Sequence, residues 1–592
     1  MSARSGRIFL QENPELFSES EGEFDENSDG DESENEESEN EESENEESEP
    51  DLSNLEFKEL ETELSATGRP SKIRGAHNTM PRAKPIPESA FSSPTSLMNE
   101  VYGDKIWEEI AIGTKERAEK LEPESEFIVN ATKMRILFGH LILIWAFKAA
   151  SMEISEFFVL LRKNQETFDL QDFELLSYEE FNFLHKKLDI GTTKKVPNLA
   201  NPERPDVLDL NEKLDPVISH FNNCNEKVMV PALDKPLAVD ESLRASHSRS
   251  CQLRNFMPNK PAKFGEKTFL LVTADLVCMK LIFQFPKQFQ TYNGTVDDLM
   301  DRIIPDKLKN QGYTIITDNY FCTLKQVLKM QKENTAVITT MRSNRIKSRF
   351  PKSTFLELTK KSGKKNFKRR VRVYNAKIGK KSNKHLQIHF YSDKVSKKPV
   401  IFCTNDPFLI QSSSNDPGNI NASKYLTAKQ KPAIVQIYNK HMGHVDIYDA
   451  QLKHYTLAQK VSHRRDKSQW LKKTASYFVD LFFLNTYSIW RKKFIENNPQ
   501  RKNLPRRFHR KFQLEMAKGL LQKKESQTLS HLDFEPDPNP AKKRKFKRAN
   551  CHFCPPKTRH SCSNVCVKCG EFVCKNHSDL ICKFCFDKHS EN

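Results

Sequence analysis

Residues 235–243 read KPLAVDESL, and residues 312–328 read GYTIITDNYFCTLKQVL. In each, an apolar run breaks on an aspartate, Asp240 in the first and Asp318 in the second. The neighbouring runs KTFLLVTADL (267–276), CMKLIFQF (278–285) and TAVITTM (335–341) are also branched or alternating apolar stretches of strand length. Between them, Asp297 to Lys309 reads as a helix. Short strands interleaved with helix over 230–345 predict an α/β core.

Outward from that core the pattern changes. ILFGHLILIWAF (136–147) and FELLSYEEFNFLHKKL (173–188) repeat apolar residues at three and four spacing, so 105–190 reads as helical. Helical patterning returns after about 432, most apolar in VDLFFLNTYSIW (479–490). Residues 1–104 read as disordered: the pentad SENEE occurs three times from Ser33 to Glu47 with nothing to bury. Residues 342–384 carry seventeen Lys/Arg and one acid, Glu357. Residues 491–550 carry eighteen Lys/Arg against six acids and read as a flexible basic linker. Within it, AKKRKFKR (541–548) has the composition of a nuclear localisation signal, or of a solvated charge run.

A chain of 592 residues holds roughly two to four domains by length. Its formal charge of +15 conceals a polarity, because residues 21–50 carry seventeen acids and no Lys or Arg. The remainder is strongly basic, which points to a polyanionic partner. The apolar run Ile136–Phe147 falls short of the roughly 20 residues that span a bilayer. The start, MSARSGRIFLQENPE, lacks a signal-peptide core. An intracellular, soluble protein with no membrane partner is therefore expected.

Thirteen cysteines are unevenly spread. Cys224, Cys251, Cys278, Cys322 and Cys403 are scattered as buried thiols usually are, while the other eight crowd between Cys551 and Cys585. The latter segment reads Cys551-x2-Cys554, Cys566-x2-Cys569, Cys574-x2-His577 and Cys582-x2-Cys585. Each pair can supply half of a tetrahedral zinc site. The short gap between the second and third pairs favours an alternating cross-brace like that of PHD and RING fingers. Cys551, Cys554, Cys574 and His577 would hold one Zn²⁺, and Cys566, Cys569, Cys582 and Cys585 the other. His552, His560, Cys562 and His589 are left over. A module this small should depend on its metal to fold.

Asp446 and Asp449 lie in GHVDIYDAQL (443–452), three apart and so on one face of an expected helix. With Asp240 and Asp318 at strand ends, they form a carboxylate set able to hold a pair of Mg²⁺ ions for phosphoryl transfer. Strand-end aspartates are more commonly turn and cap formers, and the pattern alone does not separate the two roles.

At these residues the chain resembles the piggyBac family of DNA transposases. LAVDESL with RNFMPNKPAKFGEK (254–267) resembles the family's first catalytic strand and following loop. GYTIITDNYFCTLKQVL resembles the second aspartate segment, ITTMRSNR (338–345) the basic strand after it, and AIVQIYNKHMGHVDIYDAQL (433–452) the third. SQWLKKTASYFVDLFFLNTYSIWRK (468–492) resembles the helix that follows, and the eight zinc-type ligands fit the family's cysteine-rich domain. The resemblance runs in order through most of 105–590.

It implies an α/β ribonuclease-H-like catalytic core, residues 237–345 and 432–455, interrupted by a basic insertion domain over 346–431. A mostly α-helical dimerisation and DNA-binding domain is implied from 105–236 and 456–505. A basic linker over 506–550 leads to the zinc finger at 551–589, and the acidic region 1–104 precedes everything. Asp240, Asp318 and Asp446 align with the family's Mg²⁺ (or Mn²⁺) triad and Asp449 with its accompanying aspartate. The implied activity is cleavage at element ends and insertion at TTAA. The implied partners are terminal inverted repeats and a second copy of the chain, in the nucleus, with chromatin contact through the finger.

The chain departs from the family in three places. His444 stands where a second glycine is usual, and it either crowds the backbone or is tolerated as a helix-start residue. RASHSRSC (244–251) replaces an aromatic-glycine-arginine pattern, and TTM replaces a Gly-Thr pair. No metal ligand is lost. The alternatives to an active transposase are a domesticated descendant that binds DNA or chromatin without moving it and, with less support, a RING-type ubiquitin ligase.

Overall fold

The computed structural model describes residues 85–146, 153–163 and 173–350, except 234, 247, 259–262 and 293. It further describes 369–377, 385–392, 399–406, 432–457 and 469–522, except 502–503 and 505, and four two-residue pieces, 58–59, 425–426, 549–550 and 561–562. The acidic repeats, the AKKRKFKR stretch and all eight zinc-type ligands lie outside the described residues.

The α/β expectation holds. Five strands make the centre of a mixed sheet: β1 (Leu237–Ala245), β3 (Phe264–Val272), β4 (Cys278–Phe283), β5 (Thr314–Thr317) and β6 (Ala336–Met341). Their order across the sheet is β4-β3-β1-β5-β6. Strand β3 runs antiparallel to both β4 and β1, and β5 and β6 run parallel to β1. Short β2 (Arg254–Phe256) also pairs with β3. Leu237 to Val239 and all of β5 are buried, as expected of strands covered on both faces.

Beyond β6, the segment expected to be an insertion continues the same sheet. β9 (Val400–Thr404) pairs antiparallel with β6, β8 (His385–Ser392) with β9, and β7 (Arg369–Lys377) with β8. An apolar cluster of Ile316, Ile338, Val373, Tyr391, Phe402, Ile434, Val435 and Met442 packs α9 (Ala433–His441) over these strands. The expected helix at 297–309 is α7 (Val296–Ile303), capped by Thr295 and followed by a single 3₁₀ turn, and α8 (Leu324–Lys332) joins β5 to β6.

Helices form the other layer: α1 (Pro94–Tyr102), α2 (Lys105–Leu121), α3 (Ala131–Ala146), α5 (Tyr178–Lys187), α6 (Leu210–Val228), α11 (Gln469–Asn497) and α12 (Arg506–Leu521). Two of these were not expected. Helix α1 lies in the stretch read as disordered. Ser93 caps it and Pro94 occupies its first turn, while Leu97 and Met98 are fully buried. Helix α12 lies in the stretch read as linker. Phe512, Met516, Ala517, Leu520 and Leu521 form a buried stripe at helical spacing behind its arginines. Helix α11 packs against α1 and α2.

A separate compact unit comprises 140–174 with 522–592. In it, His140 stacks on Phe158 of α4 (Ile154–Lys163) at 5.2 Å, and Ala549–Asn550 pairs with Ser561–Cys562. Among the described residues, no helix is long and apolar enough to cross a membrane.

The loop after α5 is locked between α2 and α6. Thr114 donates to the Asp189 carbonyl at 3.2 Å, Arg117 to that of Leu188 at 3.3 Å, and a wholly buried Lys213–Asp189 ion pair closes at 3.0 Å. Gly191 ends this loop at φ +64°, where a Cβ would meet the Lys213 carbonyl at 1.9 Å. Gly191→Ala should therefore cost about 2–3 kcal/mol, from strain plus a backbone clash. Urea unfolding measures it, and an unchanged midpoint would contradict this path of the chain.

Candidate functional site

Parallel pairing fixes the first two aspartates. Leu237 sits opposite Ile315, Ala238 opposite Ile316 and Val239 opposite Thr317. One step further along both strands come Asp240 and Asp318, on neighbouring chains separated by about 4.8 Å. Asp240 is 3% exposed. Asp318 folds its carboxylate back to accept the Tyr320 N–H at 2.8 Å, while Thr339 donates to its main-chain carbonyl at 3.1 Å. The following loop is clamped by Arg345, which donates to the carbonyls of Asn319 at 3.0 Å and Cys322 at 2.5 Å.

The other two aspartates arrive on α10 (His444–Tyr455), which packs against β1 and β3. Asp446 falls in the first turn, where the helix macrodipole favours an anion. Asp449 sits one turn on and accepts the Ser242 hydroxyl of β1 at 2.6 Å.

Electrostatics show which of these groups face each other. The Asp240 carboxyl is pushed well above the usual carboxylate range, first by burial and then by the charges of Asp318 and Asp446. The Glu241 N–H, 2.8 Å from its Oδ1, opposes the rise. Asp318 is also raised, mainly by burial and further by Glu241, against the Tyr320 and Phe321 amides and the Arg342 charge. Glu241 itself pairs with Lys267 at 2.9 Å. The structure thus gathers Asp240, Asp318 and Asp446 into one field. Asp449 points elsewhere: besides its bond to Ser242, its charge adds to the rise that burial causes in the Cys278 thiol and the Tyr477 phenol.

Sequence reasoning passed over Tyr438. Its phenol on α9 shares a hydrogen bond with Thr340 at 3.4 Å, and its pKa is raised first by burial and then by Asp318, Asp240 and Asp446. It lies in the quoted 433–452 motif, but nothing in spacing alone marks it.

His444 does not sit in a glycine conformation. It begins α10 after Gly443 at φ −73°, and it is absent from the described non-glycine residues with positive φ. Its ring packs edge-on against His441, centroids 5.0 Å apart. In the altered loop, Arg244 pairs with Glu266 and the Lys473 carbonyl, donates to Thr474 at 3.1 Å, and stacks 4.5 Å from the Tyr477 ring. It therefore ties β1 to α11.

Among the described residues, no three His, Cys, Asp or Glu side chains stand in the arrangement of a metal cage. Asp240 thus stands in the field of two further carboxylates, Asp318 and Asp446. Their donor type suits a hard, oxygen-seeking divalent cation such as Mg²⁺. The five scattered cysteines are free thiols, four of them buried.

The family described as Transposase IS4 matches residues 93–487, and the chain belongs to that family of transposases. The fold is similar to that of the piggyBac transposase in its synaptic complex with hairpin DNA, with a TM-score of 0.53 and 18% identity over 85% of this chain and all of that one. The resemblance to piggyBac-family transposases seen in the sequence is borne out.

Crowded carboxylates destabilise a metal-free protein. A buried carboxyl with a raised pKa opposes folding at neutral pH, and that opposition disappears once the unfolded carboxyl is protonated too, below about pH 4. Asp240→Asn should therefore raise the stability of EDTA-treated protein at pH 7 by about 1–2 kcal/mol. The gain should fade towards pH 4. Thermal melts at both pH values measure it, and a destabilised variant at pH 7 would contradict the crowding.

Proposed function

We propose that this chain is a metal-dependent DNA transposase whose reacting centre is Asp240, Asp318 and Asp446 on a ribonuclease-H-like core. The observation that carries the proposal is the placing of Asp240 beside Asp318 by strand register, with the charges of Asp318 and Asp446 both acting on Asp240 where β1, β5 and the start of α10 meet. The strand order β4-β3-β1-β5-β6, two antiparallel steps followed by two parallel ones, supports the ribonuclease-H-like reading.

Asp240, Asp318 and Asp446 would hold one or two Mg²⁺ or Mn²⁺ ions. Such ions activate an attacking water or 3′-hydroxyl and stabilise the leaving oxygen of a phosphodiester. The chain's own contribution is placement. Register sets Asp240 beside Asp318, the Tyr320 amide fixes the rotamer of Asp318, and the bond between Ser242 and Asp449 seats α10 on β1. Arg342, exposed beside Asp318, is positioned to meet a phosphate. The DNA partner follows from the family and from the basic remainder of the chain. We extend the proposal to TTAA target choice, a homodimer holding two DNA ends, action in the nucleus, and a two-zinc module at 551–589 that contacts chromatin.

Purified protein should nick DNA bearing its element ends in the presence of Mg²⁺ or Mn²⁺. Asp318→Asn should reduce that rate at least ~10³-fold, as removal of a group central to transition-state stabilisation does. Equal cleavage by parent and variant would overturn the assignment. Tight DNA binding without cleavage by the parent would instead identify a domesticated DNA-binding descendant. Metal analysis should find two Zn²⁺ per chain, and one would refute the cross-brace.

A further inference from the structure

We infer that the bond between Asn485 and Tyr448 is a positioning device for the carboxylates of α10; the inference rests on the reading of Asp240, Asp318 and Asp446 as the metal-binding set. Strand β4 lies at a sheet edge and, among the described residues, pairs only with β3. Its free edge is satisfied by two buried side-chain amides. Asn222 of α6 donates to the Leu281 carbonyl at 3.0 Å and accepts the Leu281 N–H at 2.9 Å. Asn485 of α11 does the same at Cys278, both bonds at 2.9 Å. Each amide imitates the peptide of a missing strand.

Asn485 then goes further than the edge requires. Its second amide proton reaches Asn225 Oδ1 at 3.1 Å, and its oxygen also accepts the Tyr448 hydroxyl at 2.9 Å. Asn225 Oδ1 in turn accepts the Tyr102 hydroxyl at 2.8 Å. Two donors and two acceptors are the full capacity of a primary amide, and all four are used. Asn485, Asn225 and Tyr448 are each fully buried.

Tyr448 lies between Asp446 and Asp449 on α10. Successive helical residues are about 100° apart, so fixing the direction of one side chain fixes the others. The bond from Ser242 to Asp449 holds α10 to β1 on one side, and the bond from Tyr448 to Asn485 holds it to α11 and β4 on the other. Two anchors on different elements set the rotation of α10 about its axis, and that rotation aims Asp446 at Asp240. The edge of β4 does not need the Tyr448 hydroxyl, because Cys278 already saturates the peptide-like face of Asn485. The hydroxyl's task is therefore the orientation of α10.

Asn485→Ala would expose the β4 edge and is apt to unfold the chain, so Tyr448→Phe in the full-length protein is the decisive variant. It should melt within about 2 °C of the parent and bind plasmid DNA equally well. The Mn²⁺ concentration that half-saturates the protein, followed by electron paramagnetic resonance, should rise about tenfold, as loss of an outer-sphere contact does. The same rise should appear in the Mn²⁺ needed for half-maximal nicking. An unchanged Mn²⁺ titration in Tyr448→Phe, with the bound signal lost in Asp446→Asn, would overturn the positioning role alone. No Asp446-dependent Mn²⁺ binding in the parent would overturn the metal reading and this inference with it.

Discussion

Val239 opposite Thr317 is the pairing on which the site depends. Two parallel strands in that register must carry their next residues forward side by side, and both are aspartates. The strands are buried on both faces, so water does not screen the two charges as it would at a surface. Adding Asp446 from α10 makes the conflict sharper. A one-residue slip of β5 would turn Asp318 to the opposite face and dissolve the cluster. The core contacts of Leu237, Ala238, Ile315 and Ile316, all fully buried, oppose that slip. The apolar run before each aspartate thus sets the register that brings repelling groups together.

Helix α10 is the third component, and it arrives from more than a hundred residues beyond β6. Besides the buried Val445 and Leu452, two hydrogen bonds attach it: Ser242 to Asp449 on one flank, and the Asn485 amide to Tyr448 on the other. Apolar packing alone tolerates small rotations, because neighbouring rotamers fill similar volumes. Buried hydrogen bonds do not, since a misaligned donor or acceptor loses its partner in a medium that supplies no substitute. A helix that must aim one carboxylate is reasonably held by bonds of this kind. Arg244 serves the same layer, joining β1 to α11 through Glu266, Thr474 and the Tyr477 ring.

The central strands were legible in sequence because their signal is local, and the aspartates stood out as candidates whose role the pattern alone did not settle. An apolar run of strand length ending on a charged residue needs no knowledge of the rest of the chain. The partners of those residues were not legible. Ser242 meets Asp449, and Cys278 meets Asn485, across 207 positions each, and no periodicity links such pairs. Helices α1 and α12 were obscured for a different reason. Each lies in a stretch whose net composition is dominated by neighbours, acids before α1 and arginines around α12, so averaging concealed the buried stripe. In α12 the stripe Phe512, Met516 and Leu520 recurs every four residues and was readable by face rather than by sum. The basic run 342–384 likewise hid strand β7, whose Val373 and Ala376 are buried. Charge counts described the surface there and missed the strand.

His444 shows how a substitution beside such a site is accommodated. A side chain in place of glycine is costly where the backbone needs positive φ, and α10 begins in an ordinary helical conformation. A second cost would be charge, because a cation at a helix N-terminus opposes the macrodipole. Burial removes that cost by holding the His444 imidazole at a pKa of about 4 and that of His441 at about 3. Both rings are therefore neutral near pH 7. They fill space at the start of α10 without opposing its positive end, and the macrodipole remains available to Asp446. The residue that interrupts the family pattern fills space at the helix start and leaves its electrostatics intact.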